Sequence, residues 1–251
     1  MVNIRTPHFL IVRDIAPLAP NHIRVIFGVD RRENWANAGV ADFITLYFPD
    51  PLMLDQGAGQ SATHFVGRDY TVRHHRLADG EITIDFALCA NGPATQWVQS
   101  AACGDRVRGS LATIARPDKL PLHAADYLIA GDDASLPAIA RHLEGSGPFA
   151  KVTVLIESAD VSQIPRFGGL AEIDAHWRLC NKMPGAALSQ LLDKHLPGKS
   201  FDCAWLAGEA SAVARLRAQI EAQAIGPVST VQSCNFWNAE SARSSACISV
   251  S

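Results

Sequence analysis

The sequence predicts two domains of different fold class, a small antiparallel β-barrel followed by a compact α/β domain with a parallel sheet. The chain has 251 residues, of which 48% are hydrophobic and 19% charged, which is enough for two ordinary domains that each bury a core. Short stretches of the first half alternate between apolar and polar residues, whereas apolar runs alternate with helical patterns in the second half. Pro117 and Pro121 bracket a polar stretch between the halves, so we expect domains at 1–118 and 119–251.

The first half contains four stretches with the period-two alternation of β-strands. They are 22–29, 43–48, 68–76 and 81–89. Asp79-Gly80 is a turn signal between the last two stretches. The segment 52–67 is rich in Gly, Gln, Ser and Ala, and we expect it to be a loop. Several short strands separated by Gly and Pro are typical of a small antiparallel barrel.

The second half contains strands and helices in alternation. We expect strands at 126–131, 151–157 and 203–207, and helices after residue 131, at 185–195 and at 211–223. The first of these helices places Leu136, Ile139 and Leu143 on one face. Alternation of this kind favours a parallel sheet that is covered by helices.

Composition argues against several classes of function. The net charge is −3 without a basic block, so nucleic acid is not an expected partner. The apolar runs are far shorter than the roughly 20 residues that span a bilayer, and Arg5 and Arg13 interrupt any signal-peptide core. The 6 cysteines form no CxxC pair and the 9 histidines only one adjacent pair, which predicts no metal centre. We expect a cytoplasmic monomer that does not insert into membranes.

The hexapeptide 68–73 combines three groups that a flat, anionic cofactor needs. On a strand, Arg68 and Tyr70 share one face, and Thr71 and Arg73 share the other. The cofactor needs an aromatic ring to stack on, a hydroxyl near its redox-active nitrogen and a guanidinium for its pyrophosphate. An ordinary exposed strand with one aromatic residue remains the alternative for these six residues alone.

A helix is expected at 93–101, directly after the last predicted strand of the barrel. Gly92 can form the turn, and Pro93 is favoured at the first helical position. The N-terminus of such a helix has free N–H groups and the positive end of the helix dipole, which suit a diphosphate. A plain turn is the alternative interpretation.

Seven motifs, taken in order, resemble the siderophore-interacting proteins, also called ferric-siderophore reductases, of the ferredoxin-reductase-like flavoprotein superfamily. The motifs are RDYTVR at 68–73, IDFAL at 84–88, GPATQW at 92–97, GD at 104–105, AGDDASLPAIARHLE at 130–144, WLAGE at 205–209 and FW at 236–237. The resemblance covers about residues 5 to 240, which is nearly the whole chain. The resemblance implies an FAD-binding barrel, a nucleotide-binding-like α/β domain, and single-electron reduction of ferric iron held in a siderophore.

The resemblance also implies which residues bind FAD. Tyr70 would stack on the isoalloxazine ring, Thr71 would lie near its N5, and Arg68 would contact the pyrophosphate. Trp237 would either cover the opposite flavin face or pack a C-terminal segment. The implied FAD-binding set is Arg68, Asp69, Tyr70, Thr71, Asp85, Leu88, Cys89, Gly92, Ala94, Thr95 and Trp237. Cys89 stands where the family usually has histidine.

The second domain would bind a nicotinamide nucleotide at the carboxyl ends of its strands, where open α/β sheets bind ligands. The resemblance places Asp132, Trp205 and Glu209 at this site. The chain has no GxGxxG fingerprint. Glu157, at the end of the second predicted strand, would repel a 2′-phosphate and favour NADH over NADPH.

Two departures from the family pattern bear on the ligand. Thr45 stands where the family commonly has lysine, and Asn238 stands where it usually has arginine. Basic residues attract an anionic ferric chelate, so their loss predicts a less anionic ligand such as a hydroxamate chelate. Arg73, Arg76 and Arg243 are candidates for replacing the lost charge.

The expected chemistry belongs to the flavin, without a catalytic acid–base pair of side chains. Oxygen chelators hold Fe³⁺ more strongly than Fe²⁺, so reduction loosens the iron. A flavin can accept a hydride from NADH or NADPH and release electrons singly. Three alternatives stay open: a ferredoxin as the electron donor, a general flavin or ferredoxin-type reductase, and a non-enzymatic chelate-binding protein.

Overall fold

The computed structural model describes residues 8–29, 43–49, 65–76, 78–89, 92–111, 125–161, 167–180, 183–222 and 228–239. Within these ranges the chain forms two compact units, each with its own sheet and its own hydrophobic core. The predicted boundary between residues 118 and 119 lies outside the described residues and stays a prediction. No helix in these ranges is long and apolar enough to cross a membrane.

In its described residues, the first unit is an antiparallel sheet of seven strands with one helix, in the strand order β4-β3-β7-β1-β2-β6-β5. Its elements are β1 (His8–Ala19), β2 (His22–Val29), β3 (Phe43–Pro49), β4 (Phe65–Thr71), β5 (His74–Arg76), β6 (Glu81–Ala87), α1 (Pro93–Ser100) and β7 (Arg106–Leu111). The consecutive strands β4 and β5 lie at opposite edges of the sheet, and the Arg73 N–H donates to the Thr83 carbonyl at 2.8 Å. The sheet therefore curls, as the predicted barrel requires.

The alternation of apolar residues places one face of each strand in the core. On β3, Ile44, Leu46 and Phe48 are fully buried, and the residues between them are half-buried. On β6, Ile82, Ile84 and Phe86 alternate in the same way, but Asp85 between the last two is also buried. The predicted loop 52–67 is wrong at its end, because Phe65–Gly67 pairs with β3; residues 52–64 lie outside the described residues.

Aromatic packing fixes helix α1 against the curled sheet. Ala94 and Val98 are buried on its inner face. The ring of Trp97 lies 5.5 Å from that of Phe48 and stacks on that of Phe27 at 6.3 Å, measured between centroids. Burial of large rings is a strong contribution to packing, so the helix is held in place by its middle turn.

The second unit is a parallel sheet of five strands in the order β10-β9-β8-β11-β12, with helices. Its elements are β8 (Asp126–Asp132), a 3-10 turn (Asp133–Ser135), α2 (Leu136–Gly145), β9 (Lys151–Ser158), β10 (Glu172–Leu179), α3 (Ala186–His195), β11 (Phe201–Glu209), α4 (Ala210–Ala222) and β12 (Val228–Trp237). The predicted parallel α/β class is confirmed. Because all five strands run the same way, their carboxyl ends meet at one edge of the sheet.

Candidate functional site

Tyr70 on β4 presents a fixed aromatic ring at the edge of the barrel core. Its ring centroid lies 4.5 Å from that of Phe86 and 6.3 Å from that of Phe48, while the side chain as a whole is half-buried. Burial raises the pKa of Tyr70 well above its ordinary value; the charge of Arg68 offsets part of this effect and Cys89 adds to it. The phenol therefore stays protonated and can donate a hydrogen bond at any physiological pH.

Arg68 shares the face of β4 that carries Tyr70, as predicted from the alternation of the strand. Within the described part of the chain its guanidinium donates one hydrogen bond, from Nη1 to the Gly67 carbonyl at 2.9 Å. A guanidinium has five N–H donors in a planar fork that matches phosphate geometry. Most of these donors are thus available to an anionic group beside Tyr70.

The N-terminus of α1 presents backbone N–H groups that have no acceptor within the helix. No side chain among the described residues caps it, and the first helical hydrogen bond runs from the Gln96 N–H to the Gly92 carbonyl at 3.0 Å. The N–H groups of Ala94 and Thr95 precede that bond, so they have no acceptor within the helix. Gly92 itself has an extended backbone (φ −101°, ψ 174°), and a Cβ there would meet nothing within 4 Å. Glycine is therefore not required for the turn, but it leaves the helix end uncovered.

One aromatic cluster connects Tyr70 with α1. The ring of Trp97 in the helix lies 6.3 Å from Phe86 and 5.5 Å from Phe48, the same two rings that contact Tyr70. An aromatic surface, the Arg68 guanidinium and a helix N-terminus that no described side chain caps thus belong to one unit. These groups fit a flat, diphosphate-bearing cofactor such as FAD.

The remaining predicted FAD residues of this region differ in how available they are. Thr71 ends β4 and is half-buried, while Leu88 packs partly on the core and its N–H donates to the Asn21 carbonyl at 2.8 Å. Cys89 is exposed. Asp69 is also exposed, and it accepts a hydrogen bond of 2.6 Å from the Thr45 hydroxyl on β3. Thr45, which stands where a lysine was expected from the resemblance, therefore forms a hydrogen bond from β3 to Asp69 on β4.

Asp85 on β6 forms an ion pair with Arg24 on the neighbouring strand β2. Its Oδ1 and Oδ2 accept from Nε and Nη2 of Arg24 on β2, at 2.7 Å and 2.8 Å. Asp85 also lies next to Phe86 on β6, so the two side chains point to opposite faces of the strand. Because both carboxylate oxygens are held by Arg24, Asp85 connects strands on the face opposite the ring cluster.

In the second unit, Asp132 lies at the centre of a cluster at the carboxyl edge of the sheet. Its Oδ2 accepts from the indole Nε1–H of Trp237 at 2.7 Å and from the Glu209 N–H at 3.0 Å, and its Oδ1 accepts from the Ser135 N–H at 3.3 Å. Gly208 makes room for this carboxylate: its φ is +139°, and a Cβ there would lie 2.5 Å from Oδ2.

Burial and hydrogen bonding act in opposite directions on Asp132. Burial raises the pKa of its carboxyl to about 6, although the hydrogen bonds from Trp237 and the Glu209 N–H lower it and Asp133 raises it further. For Glu209, burial favours the neutral acid, but hydrogen bonds from Ser211, Ala212 and Ala239 outweigh it and hold the pKa below its ordinary value. The Asp132 carboxyl can thus change charge near pH 6.

Trp237 belongs to the second unit, as the last residue of β12, and is half-buried. The structure joins it to Asp132, a residue assigned to the nucleotide site. Its predicted contact with the flavin stays a prediction. Two motifs of the sequence contain residues of this cluster, Gly208-Glu209 and Phe236-Trp237. Nothing in the sequence indicates that they are neighbours, because only the pairing of β11 with β12 brings them together.

Glu157 and Glu209 each accept N–H groups at the start of a helix. Glu209 accepts from the Ala212 N–H at 2.8 Å at the start of α4. Glu157 accepts from the Gly185 and Ala187 N–H groups, both at 2.8 Å, at the start of α3, and is only 2% exposed. The expectation that Glu157 selects NADH by repelling a 2′-phosphate is therefore wrong, because its carboxylate is buried against α3.

Trp205 lies in the core rather than at the edge of the sheet. It is in the middle of β11, is 1% exposed, and packs against His142 and Phe236 at centroid distances of 4.6 Å and 6.3 Å. This burial argues against direct stacking of a nucleotide on Trp205, and its assignment to the nucleotide site stays a prediction. Among the described residues, no group of three or more His, Cys, Asp or Glu could hold a metal ion.

A curled antiparallel sheet followed by a parallel α/β unit defines the fold of the ferredoxin-reductase-like flavoproteins, and solved structures agree. A siderophore utilization protein from T. fusca is 22% identical with a TM-score of 0.72, covering 95% of this chain and 96% of that one. The siderophore-interacting protein SipS from Aeromonas hydrophila is 22% identical with a TM-score of 0.75, covering 93% and 92%. The ferredoxin reductase in carbazole 1,9a-dioxygenase is 15% identical with a TM-score of 0.62, covering 92% and 68%.

Two family models match the chain in sequence. Residues 11–110 match the siderophore-interacting FAD-binding domain, and residues 124–240 match the siderophore-interacting protein model. The chain belongs to the siderophore-interacting protein family, as its motifs indicated.

The chain is also similar in sequence to two proteins whose names refer to ferric vibriobactin reduction and mycobactin import. The ferric vibriobactin reductase ViuB from Vibrio cholerae is 28% identical over 156 residues, which is 61% of this chain and 57% of the relative. The mycobactin import ATP-binding/permease protein IrtA from Mycobacterium tuberculosis is 25% identical over 236 residues, which is 92% of this chain and 26% of the relative. The chain thus spans less than two thirds of either relative.

Proposed function

We propose that the chain is a cytoplasmic, FAD-dependent reductase that passes single electrons to ferric iron in a siderophore and releases Fe(II). The match to an FAD-binding domain model and the similarity to a ferric vibriobactin reductase support this proposal. The observation that carries it is the aromatic cluster that joins Tyr70, beside Arg68, to Trp97 of α1, a helix whose N-terminus no described side chain caps.

Each group of this cluster has a separate task in holding the cofactor. The ring of Tyr70, backed by Phe86, provides a flat apolar surface for the isoalloxazine, and its neutral phenol adds no charge beside it. Arg68 and the N–H groups of Ala94 and Thr95 provide donors for the diphosphate. The Thr71 hydroxyl would lie near N5. When bound, FAD supplies the capacity to store two electrons and release them one at a time.

The substrate is loosened by reduction rather than by hydrolysis. Hard oxygen ligands hold Fe³⁺ more strongly than Fe²⁺, so the chelate weakens once the iron gains an electron. The polypeptide therefore needs to place the chelate beside the cofactor, and no proton transfer by a side chain is required for the electron step.

The electron donor is either a nicotinamide nucleotide (NADH or NADPH) or a ferredoxin. One observation favours the ferredoxin. In nucleotide-binding α/β domains the phosphates bind at free helix N-termini near the carboxyl edge of the sheet. In this chain Asp132, Glu157 and Glu209 already accept N–H groups at that edge. A nucleotide phosphate would meet carboxylates there instead of free donors.

The visible spectrum of the purified protein tests the cofactor. We expect bound FAD in the wild type, and loss of affinity by about tenfold or more in Arg68→Ala and Tyr70→Ala. Arg217→Ala, on the exposed face of α4, is the matched control and should keep FAD. A wild-type protein that refuses FAD would support the chelate-binding alternative instead.

Rapid-mixing experiments then separate the donors. Reduction of the bound flavin by a reduced ferredoxin, with slow bleaching by NADH and NADPH, is the expected result. Fast bleaching by either nucleotide would reject the ferredoxin proposal and leave the reductase proposal intact. Turnover with free flavins that does not saturate with a ferric chelate would favour a general flavin reductase.

A further inference from the structure

Four side chains on the outer face of the first unit form a row in which arginines lie over aromatic rings, which we term the Arg–Phe ladder. The Arg106 guanidinium carbon lies 4.3 Å from the centroid of Phe9, and that of Arg108 lies 5.5 Å from Phe9 and 5.0 Å from Phe65. Phe9 is 38% exposed, and both arginines are exposed. Cation–π contacts of this kind hold long side chains in place while their charge stays at the surface.

The strand register explains why this row faces outward. Leu10 and Val12 on β1 point into the core, so Phe9 on the same strand points outward. It pairs with Arg108 on β7, whose side chain therefore lies on the same outer face. A third arginine, Arg13, lies next to this row. Its side chain covers Gly28, because a Cβ atom placed on Gly28 would be 2.4 Å from the Arg13 Nε. Gly28 pairs with Ile11, and the other neighbour of Ile11 is Arg106, so all three arginines belong to one continuous surface.

This surface concentrates positive charge on a chain whose net charge is −3. Within the part of the chain that the structure describes, none of Arg13, Arg106 and Arg108 forms an ion pair with a carboxylate. Like charges held close together repel each other, and an opposing anionic group relieves that repulsion. The ladder is thus complementary to an acidic surface.

The shape and composition of the ladder favour a protein over a small ion, a membrane or a nucleic acid. It lies on the outer face of a sheet, and arginine with aromatic rings is the composition of interface hot spots. The exposed Asp14 and Asp105 lie next to Arg13 and Arg106 in sequence. A phosphate-covered surface would meet these carboxylates as well, whereas a protein can place its own acidic groups opposite the arginines alone.

We infer that the Arg–Phe ladder is a docking surface for a small acidic electron-carrier protein. This inference rests on the proposed reductase function. Phe65 and Thr71 lie on the same face of β4 and six residues apart, which is about 20 Å along a strand. A carrier of about 100 residues has a radius of gyration of about 13 Å, so one that covers the ladder extends toward Thr71.

Calorimetric titration of the FAD-loaded full chain with an oxidised acidic [2Fe–2S] ferredoxin tests the surface. The double variant Arg106→Gln/Arg108→Gln and the control Arg178→Glu on β10 each lower the net charge by the same amount. We expect about tenfold weaker binding for the double variant at about 50 mM salt, and a change of less than about twofold for the control. At about 500 mM salt the difference should largely vanish. Phe9→Leu, which leaves all charges in place, should also weaken binding.

Three results would overturn the inference: equal losses in the double variant and the control, no binding of the ferredoxin, or binding of the wild type to phosphatidylglycerol vesicles in its place. Reduction of a ferric chelate by the dithionite-reduced protein, which needs no carrier, separates this from the proposed function. If the wild type and the ladder variants reduce the chelate equally well, and the ladder substitutions do not weaken ferredoxin binding, only the inference fails. If the wild type lacks that reaction, the reductase function itself fails.

Discussion

Replacing Asp132 by Asn tests how the carboxyl edge of the second unit responds to pH. The pKa of Asp132 is about 6, against an ordinary value of 3.8, because burial disfavours its charged form. A difference of about 2 in pKa corresponds to about 3 kcal/mol of stability. The folded state holds this proton more tightly than the unfolded state, so the contribution is fully present below pH 3.8 and is lost as pH rises through about 6. In Asp132→Asn this pH dependence should disappear.

The indole N–H of Trp237 reports the titration directly, since it donates to Asp132. In ¹H–¹⁵N spectra of the full chain, which has 5 tryptophans, we expect one indole signal to shift with a midpoint near pH 6. Trp237→Phe assigns the signal, and in Asp132→Asn it should no longer titrate. A midpoint near the ordinary aspartate value, or an identical titration in Asp132→Asn, would refute the reasoning. Comparing the free energy of unfolding of both proteins between pH 4 and pH 7 checks the magnitude.

Three further predictions follow from single contacts. Gly208→Ala should lower the free energy of unfolding, measured by urea denaturation, by about 2 kcal/mol. Residue 208 has a φ of +139°, and the new Cβ would collide with the Asp132 carboxylate. A variant as stable as the wild type would contradict this. Asp85→Ala should lower the free energy of unfolding by about 1–2 kcal/mol, because it removes the two hydrogen bonds that the Arg24 guanidinium donates to the buried carboxylate, and the double variant Arg24→Ala/Asp85→Ala should recover part of the loss; additive losses would argue against a specific pair. A neutral ferric hydroxamate should compete better for binding than a highly anionic ferric catecholate, because Thr45 bonds to Asp69 where a lysine would bring charge; a strong preference for the catecholate would count against this.

Local patterns in the sequence were sufficient for most of the fold. The period-two stretch at 43–48 and the helical pattern after residue 131 reflect burial on one face, which both strand and helix show in their own residues. Strand β10 was not predicted, because it is an edge strand whose residues are exposed or half-buried and carry little alternation. The loop predicted up to residue 67 was too long, because pairing with β3 extends β4 to Phe65.

The sequence predicts the arrangement of neighbouring residues on one strand, but not contacts between residues that are distant in the chain. Arg68 and Tyr70 share a strand face by simple alternation, which the sequence contains. The roles of Glu157 and Asp85 are set by partners 28 and 61 positions away in the chain, and only the register of the sheets brings those partners together. Trp205 was assigned to the sheet edge from its motif, but its place in the middle of β11 buries it.

The most direct test of the account is anaerobic mixing of the fully reduced, FAD-loaded protein with a ferric hydroxamate in the presence of a ferrous-iron trap. The account predicts that the flavin is reoxidised and that about two Fe(II) are trapped per flavin, because two stored electrons leave one at a time. It also predicts that Arg68→Ala, after removal of unbound FAD, gives little of either signal. A protein that keeps its flavin reduced in the presence of the chelate, or that is reoxidised without any trapped Fe(II), would contradict it.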